Sequence, residues 1–328
     1  MMESESKREA APPPPPPREY EVALNARTAA TIEKAKSALS VLSHDERDLN
    51  QVRYDGCPPG VLYAVVKAGL LKPVTDLRIG DGYGVGSVPK HAWERATPYV
   101  TRVVEHLLEK HTTRLPRLRS LFLSSLHTNV RPELLQGVLP RLEWLGLGST
   151  RDQPGDREDA HGYDYINTVL APSRTYPKLT LLDLWGAACF PVDHARFGQL
   201  FPNLEILYLD TNHNSRVLEV CRDQLPRLKE LCIQFFFVTP AAIEAVAAIV
   251  RRGVLSEYCL SCGKWVRDRP REKTKTRRLS DVTYVARMEA LLDAAERASP
   301  NPAVRRNECD VRPAYIVDYS SDDDTDDE

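Results

Sequence analysis

The chain has 328 residues, 44 of them basic and 46 acidic, for a formal net charge of −2. That length suits one elongated domain or two compact ones, and the near-neutral balance gives no chain-wide attraction to nucleic acid or to an anionic membrane. No apolar run approaches the roughly 20 residues that span a bilayer. The opening MMESESKREA lacks the apolar core of a secretion signal, and seven cysteines, an odd number scattered through the chain, fit reduced thiols. The expected location is therefore cytoplasm or nucleus.

Residues 1–20 carry six consecutive prolines, Pro12 to Pro17, and are expected to be a disordered, polyproline-like arm. Apolar residues at Ala29, Ile32, Ala35, Leu39 and Leu42 recur at helical spacing, and PGVLYAVVKAGLL from Pro59 predicts a second helix. Together they make residues 21–72 a helical N-terminal cap in this reading. GDGYGVG at 80–86 lacks the Lys-Ser/Thr of a phosphate loop and reads as a turn, and a helix follows from Pro98 to His111.

Between Leu115 and Phe236 one phrase occurs five times: LPRLRSLFL, LPRLEWLGL, YPKLTLLDL, FPNLEILYL and LPRLKELCI. Its prolines, Pro116, Pro140, Pro177, Pro202 and Pro226, are spaced by 24, 37, 25 and 24 residues. Val74-x-x-Leu77-x-Ile79 upstream and Leu255-x-x-Tyr258-x-Leu260 downstream fit the same template. Proline suits the start of a strand, and L-x-L puts two side chains on one face. One such unit cannot bury its leucines alone, so neighbours must stack. Helices are predicted between the strands, opening at Arg131-Pro132, Asp193, Ser215 and Thr239-Pro240. The 37-residue interval holds RDQPGDREDAHGYD, a polar surface insertion.

A period in the twenties built on L-x-x-L-x-L resembles the leucine-rich-repeat superfamily. The resemblance implies an α/β leucine-rich-repeat solenoid (horseshoe) over residues 73–262, with disordered tails. The array is similar to the irregular intracellular arrays of F-box leucine-rich-repeat proteins, although the Leu-Pro-acidic opening of an F-box is not legible. That likeness implies a substrate-receptor role in ubiquitination.

After the array come a basic linker, residues 263–279, a helix at 280–298 and an acidic tail, 299–328, expected to be disordered. KWVRDRPREKTKTRR at 264–278 has eight basic residues, and DYSSDDDTDDE at the end has seven acids. Cys259-Leu260-Ser261-Cys262 resembles half of a zinc ribbon, but a second ligand pair at the usual spacing is missing. No H-E-x-x-H, G-x-S-x-G or Walker sequence occurs, so no catalytic residue, cofactor or metal is assigned.

If the leucines point inward, the residues between and beside them line the concave face. Phe122, Trp144, Asp183, Trp185, Tyr208, Asp210, Glu230 and Gln234 are the candidate partner-binding residues. Exposed aromatics bury much area at low entropy cost, so the expected function is a non-catalytic scaffold gripping another protein. The alternatives are a metal-binding or enzymatic module centred on Cys259 and Cys262, or a nucleic-acid binder through 264–278. A second row, Arg117, Arg141, Lys178, Asn203 and Arg227, follows the marker prolines and would place four cations along one rim.

Overall fold

The computed structural model describes residues 16–25, 27–79, 90–123, 130–147, 168–170, 174–184, 197–211, 215–238, 240–265 and 282–307. Ten strands run through them: β1 (Glu19–Asn25), β2 (Leu49–Asp55), β3 (Asp76–Ile79), β4 (Ser120–Leu123), β5 (Trp144–Gly146), β6 (Leu181–Leu184), β7 (Ile206–Thr211), β8 (Glu230–Val238), β9 (Glu257–Trp265) and β10 (Arg305–Asn307). They form one open sheet in chain order, with every neighbouring pair parallel. The helices are α1 (Ile32–Leu39), α2 (Pro59–Lys67), α3 (Lys90–Glu109), α4 (His111–Arg114), α5 (Pro132–Val138), α6 (Phe197–Leu200), α7 (Ser215–Gln224), α8 (Pro240–Arg251) and α9 (Val282–Arg297).

Parallel strands laid down in chain order, joined by crossovers of one hand, keep every crossover on the same side. The helices accordingly pack along one layer: α1 on α2, α2 on α3, α3 on α5, α6 on α7, α7 on α8 and α8 on α9. The other face of the sheet is left without helices among the described residues. This is an α/β chain with an all-parallel sheet, consistent with a repeat solenoid.

The repeated phrase has a local cause. In each copy the residue two after the proline donates its N–H to the carbonyl of the residue before it: Leu118 to Leu115 at 3.2 Å, Leu142 to Leu139 at 3.0 Å, Leu179 to Tyr176 at 3.1 Å, Leu204 to Phe201 at 3.2 Å and Leu228 to Leu225 at 3.3 Å. Proline thus sits at the second position of a tight turn, where its fixed φ is already correct, rather than at the strand's first residue. The apolar residue ahead of each proline (Leu115, Leu139, Tyr176, Phe201, Leu225) is buried, as are the phrase leucines from Leu118 to Ile233. The Tyr176 and Phe201 rings stack at 5.6 Å, and Phe197 meets Phe201 edge-on at 4.9 Å. Across the sheet Val22, Val52, Leu77, Leu121, Leu145, Leu182, Leu207, Leu231 and Tyr258 share one register line, which is the core row.

Three expectations change. Residues 21–72 are not a purely helical cap: β1 and β2 alternate with α1 and α2, and Val22, Leu24, Val52 and Tyr54 extend the core row. Residues 301–307 of the expected disordered tail form a turn and β10, with Val304 N–H bonded to Asn301 O at 3.3 Å across Pro302. The basic linker begins later than residue 263, because β9 continues to Trp265. Residues 1–15 of the expected disordered arm, the 80–86 turn, the polar insertion at 151–164, the Asp193 cap, Thr239 and the acidic tail from 308 lie outside the described residues, whereas Glu19 and Tyr20, at the end of that arm, already belong to β1.

Candidate binding face

Side chains alternate across each strand, so the residues between the core leucines fall on the helix-free face. Register aligns them into two rows. One runs Glu21, Gln51, Asp76, Ser120, Trp144, Leu181, Ile206, Glu230, Glu257, Arg305. The other runs Ala23, Arg53, Arg78, Phe122, Gly146, Asp183, Tyr208, Cys232, Cys259.

Phe122, Trp144, Asp183, Tyr208 and Glu230 are brought onto this face. Trp144 is 38% exposed and sits between Ser120 and Leu181 in register. Phe122 is half-buried, and its ring lies over Gly146: a Cβ added there would come within 2.1 Å of Phe122 Cδ1. Glycine is what allows the ring to come this close to β5. The Arg78 guanidinium stands 4.8 Å from the Phe122 centroid, close enough for a cation–π contact. The Tyr208 hydroxyl donates to Glu230 Oε1 at 2.5 Å. Burial, then that bond and the Glu230 charge, push the Tyr208 phenol above its ordinary value. The aromatics do not form a single line, since Trp144 belongs to one row and Phe122 and Tyr208 to the other. Asp210 and Gln234 pair in register on β7 and β8, their side chains lying outside the description, and Trp185 lies outside the described residues.

The face also includes residues not singled out from the sequence. Arg53 pairs with Glu21 at 3.5 Å and Arg78 with Asp76 at 3.2 Å. Burial pushes the Asp76 carboxyl up, against the opposing pull of Arg78. The phrase at Val74 to Ile79 places Asp76 and Arg78 where Ser120 and Phe122 stand in the next copy, so the signal was present.

The row after the prolines is not a free cationic rim. The Arg117 guanidinium donates to the carbonyls of Ser43 at 3.4 Å, Asp45 at 2.7 Å and Asp48 at 3.0 Å. Arg141 donates to Pro116 O, and Asn203 Nδ2 to Pro177 O at 2.7 Å. These side chains lean back onto earlier turns, while Lys178 and Arg227 are exposed.

Cys57 and Cys221 are buried thiols, but Cys259 is disulfide-bonded, which corrects the expectation of wholly reduced cysteines. A disulfide sulfur offers no thiolate to a metal, so the Cys259/Cys262 site loses one of its two sequence ligands. Among the described residues no three His, Cys, Asp or Glu side chains gather as metal ligands would.

Fold and face together define an α/β chain with an open ten-stranded parallel sheet, consistent with a repeat solenoid, whose helix-free surface is partly apolar among the described residues. No family model matches the chain, and no curated protein matches it. Among solved structures, the crystal structure of the Rad7 and Elc1 complex in yeast is similar with a TM-score of 0.33 and 11% identity, covering 74% of this chain and 75% of that one. No helix among the described residues is long and apolar enough to cross a membrane.

Proposed function

We propose that the chain is a non-catalytic interaction protein whose helix-free sheet face binds another protein. The observation that carries this is Trp144, 38% exposed in the middle of the sheet with the aromatics Phe122 and Tyr208 on nearby strands. A tryptophan presented on a rigid strand is pre-organised for burial by a partner, and such residues dominate interface energetics. Affinity purification with the wild-type chain and with Trp144→Ala/Tyr208→Ala, both checked by circular dichroism, tests it. The variant is expected to lose the partners; the same proteins at the same yield would overturn the reading. The narrower role of substrate receptor in ubiquitination rests on the resemblance to F-box arrays, and co-purification of ubiquitin-ligase subunits is its test.

A further inference from the structure

The sheet ends in two edges of unequal kind. β10 offers three residues, short enough to discourage further pairing, whereas β1 runs for seven, with no strand on its outer side among the described residues. The Arg18 carbonyl accepts the Leu49 N–H at 2.9 Å, which fixes the alternation. Tyr20, Val22 and Leu24 turn their backbone groups to β2, and Glu19, Glu21, Ala23 and Asn25 turn theirs outward. These outward groups are closed at one end only. The Thr28 hydroxyl donates to Ala23 O and accepts the Asn25 N–H at 3.1 Å, and Asn25 O takes the Ala29 N–H at 2.9 Å. The N–H and C=O of Glu19 and Glu21 and the N–H of Ala23 have no bond among the described residues, which leaves half a ladder for another strand to complete.

The chain itself narrows what can complete it. Its own lead-in is Pro12 to Pro17, six residues with no N–H to give. A second copy laid antiparallel, matching the backbone groups of Glu19 and Glu21 to their counterparts, sets an acid opposite an acid, which is destabilising. Glu21 already meets Arg53 at 3.5 Å, whereas Glu19 is exposed beside Leu49, its register partner on β2. On the other side of the strand Tyr20 is half-buried and Val22 is buried at the end of the core row. We infer that the outer edge of β1 takes an extended, proline-free segment of another protein as an added strand, with Lys or Arg opposite Glu19 and apolar side chains beside Tyr20 and Val22. This edge lies four strands from Trp144, so the two binding surfaces stand or fall separately.

The test pans a random dodecapeptide phage library over the immobilised full chain, then measures the recovered peptides against wild type, Trp144→Ala and Glu21→Pro. Proline at 21 removes an outward N–H and fills the space of an added strand, a change that edge strands tolerate. Peptides of the expected class bind Trp144→Ala as they bind wild type, bind Glu21→Pro at least about tenfold more weakly, and alternate Lys or Arg with apolar residues. N-methylation of such a peptide gives a second reading that leaves the protein untouched. Methyls on one set of alternate residues should abolish binding, and on the other set leave it within about twofold, because only one set faces β1. If Glu21→Pro loses the wild-type circular dichroism, the N-methyl series decides alone. Equal effects from the two sets, indifference to a folded Glu21→Pro, or no peptide of this class would overturn the inference. A dimer in light scattering that Glu21→Pro dissolves would overturn the choice of occupant and assign the edge to a second copy.

Discussion

Asn50 is 0% exposed, yet each of its polar groups is met. Its amide nitrogen donates to Ser43 O at 2.7 Å and Pro73 O at 2.8 Å, its side-chain oxygen accepts from Ser43 N at 2.9 Å, and its backbone N–H reaches Thr75 Oγ1 at 2.8 Å. Such completeness is what makes a buried amide tolerable, and it fastens the 43–48 loop to the turn before β3. Cysteines behave differently, because an apolar setting simply suppresses their ionisation. Burial pushes the thiols of Cys57 and Cys221 from 9.0 up to about 12. As pH rises past 9.0 the unfolded chain gives up these protons while the folded chain keeps them, so their contribution to stability is whole below about 9 and lost as pH climbs through about 12. At pH 8.5, iodoacetamide is expected to alkylate Cys57 and Cys221 at least roughly a hundredfold more slowly in the folded chain than in urea, since the thiolate is the reactive form. Site-resolved mass spectrometry reads this, and equal rates in the two states would contradict the burial.

Two neighbouring units are linked by a carbonyl held by the side chain that follows the next proline, Arg141 on Pro116 and Asn203 on Pro177. Arg117 reaches further back, with three carbonyls of the 43–48 loop ahead of β2 on one guanidinium. Asp48 extends the clasp by accepting the Arg18 N–H at 2.8 Å just ahead of β1. Arg117→Met keeps the aliphatic stem but leaves those carbonyls without their donor. The expected cost is about 1–3 kcal/mol by urea denaturation, with faster amide exchange in the 43–55 segment and no change in β7 or β8. Unchanged exchange in 43–55 would show that the arginine does not hold the loop. How legible the elements were follows from the same chemistry. Copies with a proline turn and three spaced leucines announced themselves, because turn and core constraints coincide within nine residues. β1 and β2 have only the alternation of Val22 with Leu24 and Val52 with Tyr54, and no proline turn precedes either strand, so nothing local separated them from the helical periodicity alongside. Asn301-Pro302-Ala303-Val304 does contain the turn, but it is followed by Arg305-Arg306-Asn307 instead of leucines. The apolar spacing from Val100 to Leu108 predicts a helix only from Pro98 onward, whereas the structure carries α3 through Pro98 from Lys90.

Across the whole molecule the alternation rule placed Phe122, Trp144, Asp183, Tyr208 and Glu230 on the helix-free side, since a period of two leaves a strand residue only two choices. What it could not supply was the pairing of residues distant in the chain: Tyr208 with Glu230, Arg78 over Phe122, Arg117 onto the 43–48 loop. Those depend on register between copies, and the unequal intervals of 24, 37, 25 and 24 residues hide it. The sheet also lacks a centre, because every strand from β2 to β9 is bonded to its two chain neighbours and β1 and β10 to one each. In such an array stability is close to a sum of units and nearest-neighbour contacts, so damage should stay near its source. Arg306 on β10 gives the sharpest probe, as its guanidinium donates to the Tyr258 hydroxyl at 2.9 Å, to Glu296 at 3.0 Å and to Asp293 at 2.7 Å, joining β9, α9 and β10. Arg306→Ala is expected to raise amide exchange in Glu257–Trp265 and Val282–Arg297 by about tenfold or more while β1 to β3 keep their wild-type rates. A rise shared equally by all ten strands would mean that the sheet opens as a single cooperative unit.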